Sequence, residues 1–127
     1  MQKKSFYKIP ILFFIFFFQQ SSFASTFEGI PRVVDGDSLE INGNKIRLLG
    51  IDAPEKKQIC KKPYLIIFFF DFQKKYKCGV MATNKLKKLI NNKTVKCISK
   101  SKDHYNRYLS VCYLKNKDIN SWLVKNG

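Results

Sequence analysis

The chain has 127 residues, with 24 lysines and arginines against 9 aspartates and glutamates, a formal charge of +15. That length holds one domain and no more, and the charge disfavours polycationic partners while attracting polyanions. Four cysteines, a single histidine and no Cys-x-x-Cys spacing speak against a zinc site.

Residues 1–24 read as a signal peptide. Lys3, Lys4 and Lys8 form a basic start, Ile11 to Phe18 an apolar run, and Ser22-Phe23-Ala24 a small-residue cleavage site. The apolar run is shorter than the roughly 20 residues that a membrane span needs. The expectation is an exported domain, 25–127, secreted or periplasmic, monomeric and free of the membrane once the leader is removed. All four cysteines fall in that domain, and an even count in a small exported chain reads as disulfides. Three connectivities are open. The nearest-neighbour pairing, Cys60 with Cys78 and Cys97 with Cys112, would close two moderate loops, each worth about 3 kcal/mol.

Glu28 to Val34 reads as a first strand, with Pro31 placing part of it at an edge. Ser38 to Ile41 and Asn44 to Leu49 flank Asn42-Gly43, a strong two-residue hairpin signal. Such a turn sets Ser38 opposite Arg47 and Leu39 opposite Ile46. Leu39, Ile41, Ile46 and Leu48 then share one face, and Ser38, Glu40, Lys45 and Arg47 the other. Tyr64 to Phe72 is apolar and reads as a strand or half of a hairpin arm. Ala82, Leu86, Leu89 and Ile90 fall at helical spacing within Gly79 to Ile90, with Asn91-Asn92 as a stop. Strands follow over Thr94 to Ser99 and Tyr108 to Leu114. A second helix runs from Asn120 to Lys125, with Asp118 or Asn120 as its cap. The pattern predicts an α+β fold, a five-stranded Greek-key barrel of the OB type with packed helices.

Asp37 and Asp52 are hard oxygen donors that the hairpin brings toward one end of the sheet. Calcium takes six to eight such oxygens in loose geometry. Pro54 keeps Ala53 extended, which frees the Ala53 carbonyl as a further ligand, and Glu55 is placed to act on a water. Arg47 and Arg107 have the planar fork that matches phosphate oxygens. Tyr105 offers a ring for a base or sugar to stack on. Together these point to metal-assisted attack on a phosphodiester.

At this point the chain resembles the staphylococcal nuclease (thermonuclease) family. The matching text is Val34-Asp35-Gly36-Asp37-Ser38, then Ile46-Arg47-Leu48-Leu49-Gly50-Ile51-Asp52-Ala53-Pro54-Glu55. It continues with Cys78-Gly79 leading into the Ala82 to Ile90 helix, Asp103-x-Tyr105-x-Arg107, and Asp118-Ile119-Asn120 through to Gly127. The resemblance implies calcium held by Asp37, Asp52 and the Ala53 carbonyl, with Asp35 an acid near the metal. It implies Glu55 acting on the attacking water, Arg47 and Arg107 on the phosphate, and Tyr105 on the nucleotide. The implied activity is cleavage of DNA and RNA with little sequence preference. Exported, disulfide-bearing members carry the nearest-neighbour cysteine pairing. Ser38 stands where threonine is commonest, and Asn106 replaces the usual glycine, tolerable because asparagine adopts left-handed turns. The family pattern goes on beyond the position of Gly127 with a further helix, which this sequence does not include. The rival reading is a catalytically impaired nucleic-acid-binding OB domain or a truncated inactive homologue. Arg47, Glu55 and Arg107 together argue against it, since a binder needs lysines more than a positioned glutamate.

Overall fold

Asn42 and Gly43 both take positive φ, 49° and 78°, as a two-residue hairpin requires if its turn is to match the twist of its strands. The computed structural model, which describes residues 24–67 and 70–126, pairs β3 (Ser38–Ile41) with β4 (Asn44–Leu48) across that turn. The register is the expected one: Ser38 with Arg47, Leu39 with Ile46, Glu40 with Lys45, Ile41 with Asn44. Leu39, Ile41, Ile46 and Leu48 are buried, which leaves Arg47 on the opposite face. The leader expected over residues 1–24 lies outside the described residues except for Ala24.

The single first strand expected from Glu28 to Val34 is two strands, β1 (Ser25–Gly29) and β2 (Arg32–Asp35). Pro31 lies between them and has no N–H to give a ladder. β1 pairs with β7 (Val95–Lys102), and β2 pairs with β3. The sheet therefore runs β1-β7-β8-β4-β3-β2, with β8 (Tyr108–Leu114) parallel to β4 and a short β9 (Lys117–Asp118) on β8. Its two ends are consecutive in the chain, so the sheet curls back on itself. With β1 and β2 as halves of one bent strand, this is the OB-type α+β barrel expected from the sequence.

β5 (Cys60–Ile67) and β6 (Phe70–Tyr76) form a separate two-stranded ribbon. The described part of the apolar stretch, residues 64–67 and 70–72, thus belongs to a hairpin arm. α1 (Cys78–Ile90) follows, its Leu86 and Ile90 buried among Leu39, Ile46, Val95 and Ile119. It stops where Asn91 turns left-handed at φ 46° and donates its amide to the Lys87 carbonyl. Each such fully buried aliphatic side chain contributes about 1.5–3 kcal/mol. α2 (Ile119–Asn126) is capped by Asp118, whose Oδ1 accepts from the Ser121 amide at 3.0 Å. Asn120, buried at the start of α2, accepts from the Cys112 amide and donates to the carbonyls of Ser110 and Leu49. It ties the helix to β8 and to the exit of β4. Among the described residues, no helix is long and apolar enough to cross a membrane.

Two disulfides complete the frame. Cys97–Cys112 links opposed residues of β7 and β8 inside the core, and Cys60–Cys78 joins the first residue of β5 to the first of α1.

Candidate functional site

The β2–β3 turn carries Asp35 and Asp37, and its position is set by a missing side chain. A Cβ on Gly36 would meet the Cβ of Ala53 at 2.7 Å and that of Ala82 at 2.9 Å. The turn is therefore wedged between the Ile51–Glu55 segment and α1. Asp37 is 3% exposed and both its oxygens are engaged: Ser38 Oγ donates to its Oδ1 and the Ala53 amide to its Oδ2, both at 2.9 Å. The Arg47 guanidinium sits 2.6 Å from Oδ1 and reaches on to Asp52 Oδ1 at 2.9 Å. One guanidinium thus bridges a buried carboxylate and an exposed one. A carboxylate this buried needs its countercharge, because an unpaired buried ion costs several kcal/mol.

Glu55 is held from three sides. Its amide donates to Gln58 Oε1, its carbonyl accepts from the Gln58 amide at 2.7 Å, and the next amide, Lys56, donates to Asp35 Oδ2 at 3.2 Å. Gly79 in α1 lies so close that a Cβ there would fall 1.7 Å from the Glu55 carbonyl oxygen. The Cys60–Cys78 disulfide closes the same contact from the other side. Thr83 Oγ1 lies 2.9 Å from the Gly79 carbonyl and 3.3 Å from Asp35 Oδ1, so its one proton serves either. A hydrogen bond with the Asp35 carboxyl, then repulsion from its charge, holds Glu55 above the usual carboxylate range, with Arg47 opposing.

The loop between β7 and β8 aims Arg107. Asn106 takes φ 62°, the left-handed turn that asparagine tolerates. Asp103 then gathers the loop: its Oδ1 accepts from the amides of Tyr105 and Arg107, and its Oδ2 accepts from Arg107 Nε at 2.7 Å. Partial burial pushes the Asp103 carboxyl up, but the Arg107 amide, guanidinium and charge outweigh it, so it sits below its ordinary value. The guanidinium carbon of Arg107 lies 5.4 Å from the Tyr105 ring centre, and Tyr105 is exposed.

Arg47, Glu55, Tyr105 and Arg107 line one cleft of about 460 Å³. Lys45 joins them and was not singled out as a site residue in the sequence; the strand alternation that puts it on the face of Arg47 is the signal for it. Asp103, which aims Arg107, and Gly79, which holds Glu55, stand in the matching text without a role there, and Gln58, which also holds Glu55, lies outside it. Asp37 lies behind Arg47. Asp52 and Ala53 border a larger, mostly apolar groove of about 800 Å³ between the Ile51–Pro54 segment, α1 and α2. That groove is the bigger concavity, but the converging charges are in the smaller one. Among the described residues no three His, Cys, Asp or Glu side chains converge to hold a metal. Asp37 and Asp52 do converge on a single cationic group, and two carboxylates with the neighbouring Ala53 carbonyl are donor chemistry that fits calcium, the remaining positions falling to water and substrate. Two guanidiniums and an ammonium around one carboxylate make a cleft for an anion.

A small curled barrel with two helices and this arginine–carboxylate cleft at the end of β4 defines an OB-type α+β domain built to receive an anionic group. The chain belongs to the staphylococcal nuclease family: residues 45–127 match the family model described as staphylococcal nuclease homologue. It is 32% identical over 124 residues to an uncharacterised endonuclease of Escherichia coli O157:H7, covering 94% of this chain and 69% of that one. It is 34% identical over 103 residues to an uncharacterised endonuclease of Haemophilus influenzae, covering 77% and 48%. The succinoglycan biosynthesis protein ExoI of Rhizobium meliloti is 30% identical over 101 residues, covering 78% and 49%. The chain thus spans about half the length of two of these relatives.

Proposed function

We propose that this domain is a calcium-dependent phosphodiesterase that cleaves DNA and RNA with little sequence preference. The observation that carries the reading is the convergence of Arg47, Arg107 and Glu55 on one open cleft. The two guanidiniums take the non-bridging oxygens of the phosphate and stabilise the charge that develops there. A water attacks phosphorus, the bond to one ester oxygen breaks, and the water's proton passes to the Glu55 carboxylate. The departing oxygen takes its proton from bulk water. Tyr105 stacks on the nucleotide, and Lys45 adds charge at the mouth of the cleft. Calcium held by Asp37, Asp52 and the Ala53 carbonyl would supply Lewis-acid charge on the phosphate and a more acidic water. The two disulfides support an oxidising, exported setting, consistent with removal of a leader over residues 1–24 and action as a monomer.

The test is hydrolysis of single- and double-stranded DNA by the disulfide-bonded protein. Chelation abolishes cutting, and Glu55→Gln lowers the rate by about 10²–10⁴-fold while oligonucleotide binding and melting temperature are retained. A folded protein that binds DNA yet never cuts it with calcium present is a binding module, and the enzymatic reading then fails.

A further inference from the structure

The β5–β6 ribbon lies outside the cleft and takes no part in the chemistry above. Its register sets like charges opposite one another twice, Lys61 with Lys75 and Lys62 with Lys74. Directly opposed like charges weaken a strand pair, and a lone hairpin has little stability to lose. Among the described residues the ribbon is hydrogen-bonded to neither edge of the main sheet, and its packing is almost wholly between its own two strands. Four exposed ammonium groups are therefore crowded on a projecting arm. A polyanion is the partner that relieves their repulsion.

One face narrows the kind of polyanion. Lys62 and Lys74 alternate there with Tyr64 and Tyr76, each lysine close to a ring on the opposite strand. Lys62 Nζ lies 5.8 Å from the Tyr76 ring centre, and Lys74 Nζ 5.9 Å from that of Tyr64. Such contacts keep ammonium and ring side by side. Tyr64 is 72% exposed and Tyr76 half-buried. An exposed ring flanked by cations is the surface on which single-stranded nucleic acid binds, bases stacking on the ring while phosphates meet the ammoniums. A lipid headgroup layer also accepts ammoniums and tyrosine rings, but the anion-receiving cleft on the same body favours the polynucleotide. The base of the ribbon starts five residues after Glu55 in the chain and is bonded to α1 through Cys60–Cys78, and Tyr76 at that base lines the larger groove together with Asp52, Ala53 and Pro54.

We propose that the face of the ribbon bearing Lys62, Lys74 and Tyr64 is a second nucleic-acid-binding surface. It holds the single-stranded continuation of a polynucleotide whose reacting phosphate lies in the Arg47–Arg107 cleft. This rests on the phosphodiesterase reading of that cleft, but binding and cutting are measured separately.

The test uses the full, disulfide-bonded chain in chelator, with fluorescence anisotropy on a trinucleotide and on a single-stranded oligonucleotide of about 20 nucleotides, longer than one OB-type groove covers. Lys62→Gln with Lys74→Gln weakens the long oligonucleotide about tenfold and flattens its salt dependence by about 1.4 in log–log slope, two phosphate contacts' worth. Trinucleotide affinity changes by less than about twofold, because it engages only the cleft. Lys61→Gln with Lys75→Gln removes the same charge from the other face and costs about twofold at most. Tyr64→Ala costs about fivefold with no change in salt slope, within the range for one stacked base. Unchanged affinity in the first double variant overturns the proposal, as does an equal loss from both double variants, which would make the effect one of net charge. Binding to phosphatidylserine–phosphatidylcholine vesicles that is lost in the first variant while oligonucleotide affinity stays put makes the arm a membrane contact and also overturns it. A wild-type protein that binds long oligonucleotides through the ribbon but cuts none with calcium refutes the enzymatic reading alone.

Discussion

The β3–β4 hairpin and the β5–β6 ribbon are both antiparallel pairs, and they differ in whether a face is buried. Leu39, Ile41, Ile46 and Leu48 fill the core from one side of the first pair. A one-residue slip would turn all four outward, so the register has no freedom. Arg47 inherits that precision because it projects from the other side of the same strand. The ribbon has no such anchor: its pairing shifts between Pro63 and Leu65, and lysines face lysines. Buried apolar side chains therefore set the position of Arg47, and the ribbon's charges are set by one another, by the rings of Tyr64 and Tyr76 and by a disulfide at its base.

The largest expected effect that would break this contrast is on stability. Leu39→Ala removes a side chain that is 1% exposed and should cost about 2–5 kcal/mol in denaturant unfolding; a loss below about 1 kcal/mol would mean that the hairpin is not held by its face. The two disulfides come next. Replacing Cys97 and Cys112 by alanine should lower global stability by about 3 kcal/mol, read as a shift in the unfolding midpoint. Replacing Cys60 and Cys78 should instead raise amide exchange locally, over residues 60–76 and around Glu55, with the barrel still protected. Matching exchange patterns in the two double variants would erase the distinction between regions. The smallest effect concerns pH. The Asp103 carboxyl lies below its ordinary value, so its hold on the loop is complete above the unfolded aspartate's pKa and fades as pH falls through the lower folded one. The Tyr105 and Arg107 amides should loosen over that acid window in an NMR titration. Asp103→Asn should remove the transition.

Much of the barrel was legible because its cues are local. Asn42-Gly43 and the alternation around it specify pairing, face and the position of Arg47, and Asn91 and Asn106 mark the left-handed turns that they occupy. Pro31 was read as an edge residue, but the break it makes in the first strand depends on which partner each half finds. Asn120 looked like a cap and is a buried peg, since its partners Leu49 and Ser110 are remote in sequence. The alternation puts Lys45 on the correct face, but its entry into the cleft depends on where the β7–β8 loop brings Tyr105 and Arg107. The ribbon's role was illegible for the same reason as its register: without burial, periodicity carries no information about which way a strand faces.

Gly79 deserves to be ranked with the residues around the cleft. Its hydrogen is all that fits against the Glu55 carbonyl, so even a methyl group at 79 must push that backbone aside, although position 79 does not line the cleft. Under the proposed reaction, a blind screen for loss of function would recover it beside Glu55 and Arg107 and would misread it as a contact with the ligand. Its importance is that of a hinge pin: the empty space keeps two distant stretches of chain in step.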